Sequence, residues 1–216
     1  MRAALAFSVG FLALMAVVSL WGYAAIPGGA QVPMHWDASG EVDRYGGKAE
    51  TLLAMPLLAV FVVVVLALSR RYGRLQGPSS ARAFDAVWFA ALLLLLGLHA
   101  FLVWNGARGG EAEPIFVLYG ACALLVVVGN VLGKTRRNAV IGVRTPWSLS
   151  SEDAWIASNR AAGWGMAATG LLGAAALAFG SVAVSVLIIL AGNAASFAVS
   201  ILIAWQTAKR NPARTD

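Results

Sequence analysis

Six long stretches in which polar residues all but vanish alternate along this chain with short polar segments. They run roughly from Ala4 to Ala25, Thr51 to Ser69, Phe84 to Trp104, Pro114 to Leu132, Gly163 to Gly180 and Val182 to Gln206. Stretches of about 20 apolar residues suffice to cross a hydrocarbon layer about 30 Å thick, because a helix rises about 1.5 Å per residue. The pattern predicts an all-α, polytopic membrane protein with six transmembrane helices. The last two stretches meet at Gly180 and Ser181 with almost no loop, so they form either a tight helical hairpin or one long broken helix. The first begins after Arg2 and is longer than the 7–15 residues usual in a signal-peptide core, so it reads as a retained anchor. The stretches group into an N-terminal two-span unit, residues 1–70, with an outer loop at 26–50, and a four-span unit, residues 84–206, with a cytoplasmic loop at 133–162.

Composition strengthens this picture. Only 12% of the residues are charged and 60% are hydrophobic, against about 25% charged in soluble domains. Cys122, the one cysteine, lies in an apolar run and reads as a small packing residue. The net charge of +6 is unevenly placed. With the N-terminus inside, thirteen Lys and Arg fall on the inner side: Arg2, Arg70, Arg71, Arg74, Arg82, Lys134, Arg136, Arg137, Arg144, Arg160, Lys209, Arg210 and Arg214. Three, Arg44, Lys48 and Arg108, fall outside, where Asp37, Glu41, Asp43, Glu50, Glu111 and Glu113 also lie. The positive-inside rule therefore predicts N-in and C-in. The basic surface is explained by orientation and by anionic membrane lipid, with no direct nucleic-acid partner. Trp21, Tyr23, Trp88, Trp104, Tyr119, Trp147, Trp164 and Trp205 sit near predicted span ends, as interfacial anchors do. Small residues crowd the last two spans, as in Gly163-x-x-x-Ala167, and predict close helix contacts.

Candidate chemistry is confined to the two loops. The outer one, VPMHWDASGEVDRYGGK, carries His35, Trp36, Asp37, Gly40, Asp43 and Lys48, with turns expected at Ser39-Gly40 and Gly46-Gly47. One histidine among carboxylates is a poor metal set, and an exposed Trp and His among charges suit recognition of a peptide or headgroup. In the inner loop, Arg144-Thr145-Pro146-Trp147 is followed by a helix-start signal at Ser150 and Ser151, with Glu152 and Asp153 in the positive first turn. Trp155 and Asn159 share a face of that short helix. Two readings of the loop stand: an interfacial helix with Trp155, Ile156 and Trp164 turned to lipid or bundle, or a docking site for a cytoplasmic partner or bound lipid.

Within the spans, Asp85 falls at a helix start that accommodates a carboxylate, His99 reaches toward the outer interface, and Asn130 and Asn193 bridge helices. No HExxH, GxSxG or P-loop pattern occurs, and nothing calls for a catalytic residue, a resident metal or a cofactor.

Together the loops resemble the SdpI family of bacterial immunity membrane proteins. The outer resemblance rests on Pro33, His35, Trp36, Gly40, Asp43 and Lys48 and is to the domain of unknown function that precedes the SdpI domain. The inner one rests on Asn138, Gly142, Arg144, Thr145, Pro146, Trp147, Ser151, Trp155 and Arg160, around a G-x-R-T-P core, and the chain departs from the family pattern at Asn159-Arg160. The resemblance implies a multi-pass protein of the bacterial cytoplasmic membrane that protects the cell from a secreted toxic peptide outside and relays its presence to a small repressor inside. The outer residues would then recognise toxin and the inner ones dock the partner or hold the loop. Two readings from other classes stand beside it: a small membrane metalloenzyme or transporter built on His35, Asp37 and Asp43, and a lipid-binding structural protein using the basic inner surface.

Overall fold

The computed structural model describes residues 2–73, 75–109 and 115–210; Arg74, Glu111, Glu113, Pro114 and Arg214, used above for charge placement or a span boundary, lie outside them. Helices α1 (Arg2–Ala25), α2 (Lys48–Tyr72), α3 (Gly77–Arg108) and α4 (Ile115–Leu132) are followed by the short α5 (Pro146–Ser150), then α6 (Glu152–Ala178) and α7 (Val182–Arg210). All but α5 are long and apolar enough to cross a membrane, giving the six expected spans of a multi-pass protein. Strands β1 (Val32–Trp36) and β2 (Val42–Gly46) form an antiparallel hairpin between α1 and α2. α6 and α7 are separate helices: the chain reverses over residues 179–181, where Gly180 takes a positive φ of 80°. Helix α3 packs on α1, α2 and α4, while α6 packs on α4 and α7.

A bilayer supplies no water to an open peptide group, so a proline inside a spanning helix must have its lost hydrogen bond replaced. Pro56 lies inside α2 and leaves the carbonyl of Leu52, four residues earlier, without its helical donor. The Ser19 hydroxyl of α1 donates to that carbonyl at 2.9 Å. Having given its one proton to Leu52, Ser19 Oγ accepts from His99 Nε2 of α3, 2.9 Å away. The same Nε2 lies 3.2 Å from the Met15 carbonyl of α1. This assigns the Nε2–H tautomer and ties α1, α2 and α3 through one serine. His99 is therefore fully buried, and not the outward-reaching residue expected from sequence. Nearby, Trp88 is also buried, with Nε1 donating to Ser8 Oγ at 3.0 Å, so it joins α3 to α1 and is no interfacial anchor.

The α4–α6 contact uses absent side chains. A Cβ on Gly129 would lie 2.5 Å from the Gly163 carbonyl oxygen and 2.7 Å from Ala167 N. The backbones thus touch where Gly163-x-x-x-Ala167 faces α4, as small-residue interfaces allow. Cys122 is buried one step along the same seam, its carbonyl against Gly170 and its Sγ against Gly173. Asn193 bonds within its own helix, to the Ile189 carbonyl, and Asn130 accepts from Lys134 in the turn that follows α4, so neither bond bridges two helices. Asp85 lies well inside α3, which starts at Gly77, and pairs with Arg70 of α2 at 3.4 Å; the expected helix start is displaced.

The hairpin seats on the bundle through Val32, which is buried against Gly106 of α3 beside Ile26. Asp37 closes its turn: Oδ1 accepts from the backbone N–H groups of Ser39, Gly40 and Glu41 and from the Ser39 hydroxyl. Gly40 supplies the positive φ, 96°, that this turn requires. These donors, led by the Ser39 hydroxyl, hold the Asp37 carboxyl below its ordinary value. A lowered folded value means that the turn's carboxylate contribution is present above the ordinary aspartate range and lost as pH falls through the lowered value.

Two outcomes follow from these contacts. Ser19→Ala strands Leu52 O, while His99 Nε2 keeps the Met15 carbonyl, and lowers stability by about 1–3 kcal/mol; adding Pro56→Ala restores the helical donor and recovers part of that loss. Thermal unfolding of the single and double variants in detergent measures the coupling. For the hairpin, Asp37→Ala at neutral pH, or acidification of the wild-type chain below the ordinary aspartate range, lowers the hydrogen-exchange protection factors of Gly40 and Glu41, taken against the intrinsic exchange rate at each pH, while α3 amides keep theirs.

Candidate functional site

The segment between α4 and α6 is a folded cap. Asn138 organises its first turn: Oδ1 accepts from Val140 N and Ile141 N at 2.8 and 2.9 Å, and Nδ2 donates to the Arg136 and Ile141 carbonyls at 2.7 and 3.1 Å. The Ser80 hydroxyl of α3 accepts from Arg136 N at 2.8 Å, which fastens the turn to the neighbouring helix. Gly142 has φ 129°, and a Cβ there would lie 2.6–2.7 Å from Asn159 Oδ1 and the Trp155 ring. Only glycine lets the loop backbone lie on α6 at this point. Asn159 Oδ1 then accepts from Val143 N at 2.8 Å, while its Nδ2 donates to the Trp155 carbonyl at 3.0 Å. Trp155 Nε1 reaches the Thr135 carbonyl at 3.0 Å. Trp155 and Asn159 do share one helix face, and both are completely buried.

The helix that carries them is not a short interfacial one. Ser151 Oγ accepts from Ala154 N at 3.1 Å and caps α6, with Glu152 and Asp153 in its first turn, but the helix continues unbroken to Ala178. The fifth span therefore starts well ahead of Gly163, and its first turns form a post on which the loop is folded. The separate short helix is α5. Thr145 caps it by accepting from Ser148 N at 3.0 Å, Ser148 Oγ accepts in return from Thr145 N at 2.8 Å, and Pro146 occupies the first turn where its missing N–H costs nothing. Ser148 Oγ also donates to the Val143 carbonyl at 2.7 Å. Ser148 was not singled out from sequence; the signal was the Thr-Pro-x-Ser spacing of a reciprocal cap.

Of the predicted inner residues, Asn138, Trp155 and, through the space it leaves, Gly142 are thus internal supports, while Thr145, Pro146 and Ser151 shape helix starts. Arg144, Trp147 and Arg160 are exposed. Arg144 donates to the Ala139 carbonyl across the loop. Trp147 stands against Ile201, Leu202 and Trp205 of α7, where the three side chains and Ala198 form a shallow apolar groove. Arg160 points into a different groove, between α4 and α6. Trp164, one turn further, is 75% exposed.

At the opposite end of α3 the hairpin gathers the outer residues unevenly. His35 Nδ1 and Asp43 Oδ1 are 2.6 Å apart on its exposed face. Arg44 pairs with Glu50 at 2.6 Å. Trp36 turns inward to Phe101 of α3, with ring centroids 6.4 Å apart, and Pro33 is buried. Lys48 Nζ lies 4.7 Å over the Tyr23 ring. Asp37 and Gly40 are spent on the turn, so His35, Asp37 and Asp43 do not converge as the metalloenzyme reading needs. Among the described residues, no three His, Cys, Asp or Glu side chains gather into a metal-binding group.

Comparisons with known proteins fall on these same parts. The SdpI/YfhL protein family matches residues 134–204, from the start of the cap through α5, α6 and most of α7. A domain of unknown function, DUF1648, matches residues 10–60, which hold most of α1, the hairpin and the first half of α2. "Immunity protein SdpI" of Bacillus subtilis (strain 168) is 25% identical over 160 residues, covering 71% of this chain and 71% of that protein. No solved structure matches the chain. The cap and α6 thus lie in the stretch that matches the SdpI/YfhL model, and the hairpin lies in the stretch that matches DUF1648, the two resemblances that the loops led us to expect.

Proposed function

We propose that this chain is an immunity protein of the bacterial cytoplasmic membrane that protects its cell against a secreted toxic peptide. The observation that carries the reading is the cap: a rigid, internally bonded loop in the family-matched segment that leaves Arg144 and Trp147 outward while burying Asn138, Val143, Ser148, Trp155 and Asn159. The name of the B. subtilis relative supports the immunity role. The Lys and Arg excess at the cap end supports N-in and C-in, with the hairpin outside and the cap in the cytoplasm. In this orientation His35 and Asp43 form the outer recognition face. Arg144 and Trp147, beside the apolar strip of α7, are where a cytoplasmic repressor docks. A buried mainstay beneath an exposed Arg–Trp pair suits partner binding, because Arg and Trp supply much of the binding energy where they occur at interfaces. Relay across the membrane requires that an outer ligand favour one of two states of the bundle.

A killing assay tests the reading. A sensitive host expressing the intact chain survives a secreted toxic peptide, and one expressing the R144A/W147A chain at equal membrane levels does not. Unchanged survival with the double variant would remove the cap from the account, and death of both strains across a panel of such peptides would remove the immunity role. At the outer face, D43N leaves thermal stability within about 0.5 kcal/mol, as exposed substitutions do, yet reduces protection.

A further inference from the structure

We infer that the groove between α4 and α6 holds the headgroup and one acyl chain of an anionic phospholipid, with Lys134 and Arg160 as the phosphate contacts. The groove encloses about 380 Å³, and its two walls are single helical stripes. Asn130 of α4 and Lys134 of the turn that follows it line one side, and Arg160 and Trp164 of α6 the other. Both cations are exposed, and neither has a carboxylate partner among the described residues. Lys134 gives one ammonium proton to Asn130 Oδ1 at 3.1 Å, which fixes its direction and leaves its other donors for an anion. Arg160 adds a guanidinium fork of the kind that grips phosphate oxygens in pairs.

The rest of the groove suits the remainder of such a lipid. Gly129 and Gly163 bring the two backbones together, so its floor is free of large side chains. Trp164 is 75% exposed at its edge, where an amphipathic ring marks the headgroup level. From Lys134 the lining continues along α4 to Val126. From Val126 to the end of α4 at Leu132 that is about 9 Å of helix, with the turn that carries Lys134 beyond it, against about 15 Å for one leaflet of a core about 30 Å thick. A charged mouth over an apolar channel that runs down toward the membrane core is complementary to an amphiphile, whereas an acidic protein segment would use the mouth and leave the channel empty. The site is independent of toxin protection. Only its assignment to the cytoplasmic leaflet rests on the orientation proposed above.

The test is lipid retention by the full chain in neutral detergent, read by native mass spectrometry on titration with dioleoylphosphatidylglycerol or dioleoylphosphatidylcholine. Each cation near a lipid surface contributes enough that R160Q or K134Q alone weakens retention of the glycerol lipid about fivefold, and the pair together about thirty-fold. R160K keeps most of the wild-type retention, and R210Q, at the exposed end of α7, keeps all of it. Both altered side chains in the test are exposed, and circular dichroism checks that the helices persist. Equal retention of the two lipids by the wild-type chain, or unchanged phosphatidylglycerol retention in K134Q/R160Q, would overturn the site. Tighter capture of a soluble polyglutamate peptide than of the lipid would also overturn it, in favour of a protein partner.

Discussion

A peptide group left open inside a bilayer has no water to turn to, and this chain is organised around the places where its helices leave one open. Pro56 opens the Leu52 carbonyl in α2, and Ser19 of α1 closes it, held in turn by His99 of α3. The same constraint governs the cap. A loop that returns to the helical bundle brings Val143 N and the Thr135 carbonyl into a buried space, and Asn159 and Trp155 of α6 close them. Each closure is a side chain reaching another element, so the satisfaction of the backbone and the assembly of the helices are one event.

That economy explains how the functional parts are arranged. α6 runs beyond the length a membrane needs, and its first turns hold the cap. Its next turns press on α4 through Gly129, Gly163 and Ala167. The cap therefore stands in fixed relation to the α4–α6 seam and, through α5, to α7. The buried members of the inner-loop motif set the geometry, and among its exposed members Arg144, Trp147 and Arg160 meet the surroundings. At the far end, Val32 against Gly106 does for the hairpin what Gly142 against Trp155 does for the cap. In both cases a missing side chain lets an extraneous segment lie on a helix.

The six spans were legible because hydropathy over about 20 residues is a strong signal, and the Ser151 cap was legible because its chemistry is local. The start of α6 was not: Ser158, Asn159 and Arg160 interrupt the apolar run, and polarity there marks the post for the cap instead of the end of the helix. The hairpin reads in the sequence only as turns, since its strands are short and do not alternate cleanly: Val32 and Pro33 are buried side by side. His99 was misplaced because its partners, Ser19 and Met15, are some 80 residues distant in sequence. A local clue did exist in Pro56, whose presence in a spanning helix announces an orphaned carbonyl that some other helix must serve. Asn193 shows the converse, since an asparagine in a span can bond within its own helix and need no partner.

The account stands most directly on the claim that the cap is a rigid structure braced by α6. Hydrogen exchange at the Val143 amide, in the full chain reconstituted in lipid, measures it. Slow exchange at Val143 in the wild-type chain, lost in N159L while α4 and α7 amides keep their protection, is the predicted result. Exchange at Val143 as fast as at an open loop amide in the wild-type chain would contradict the account.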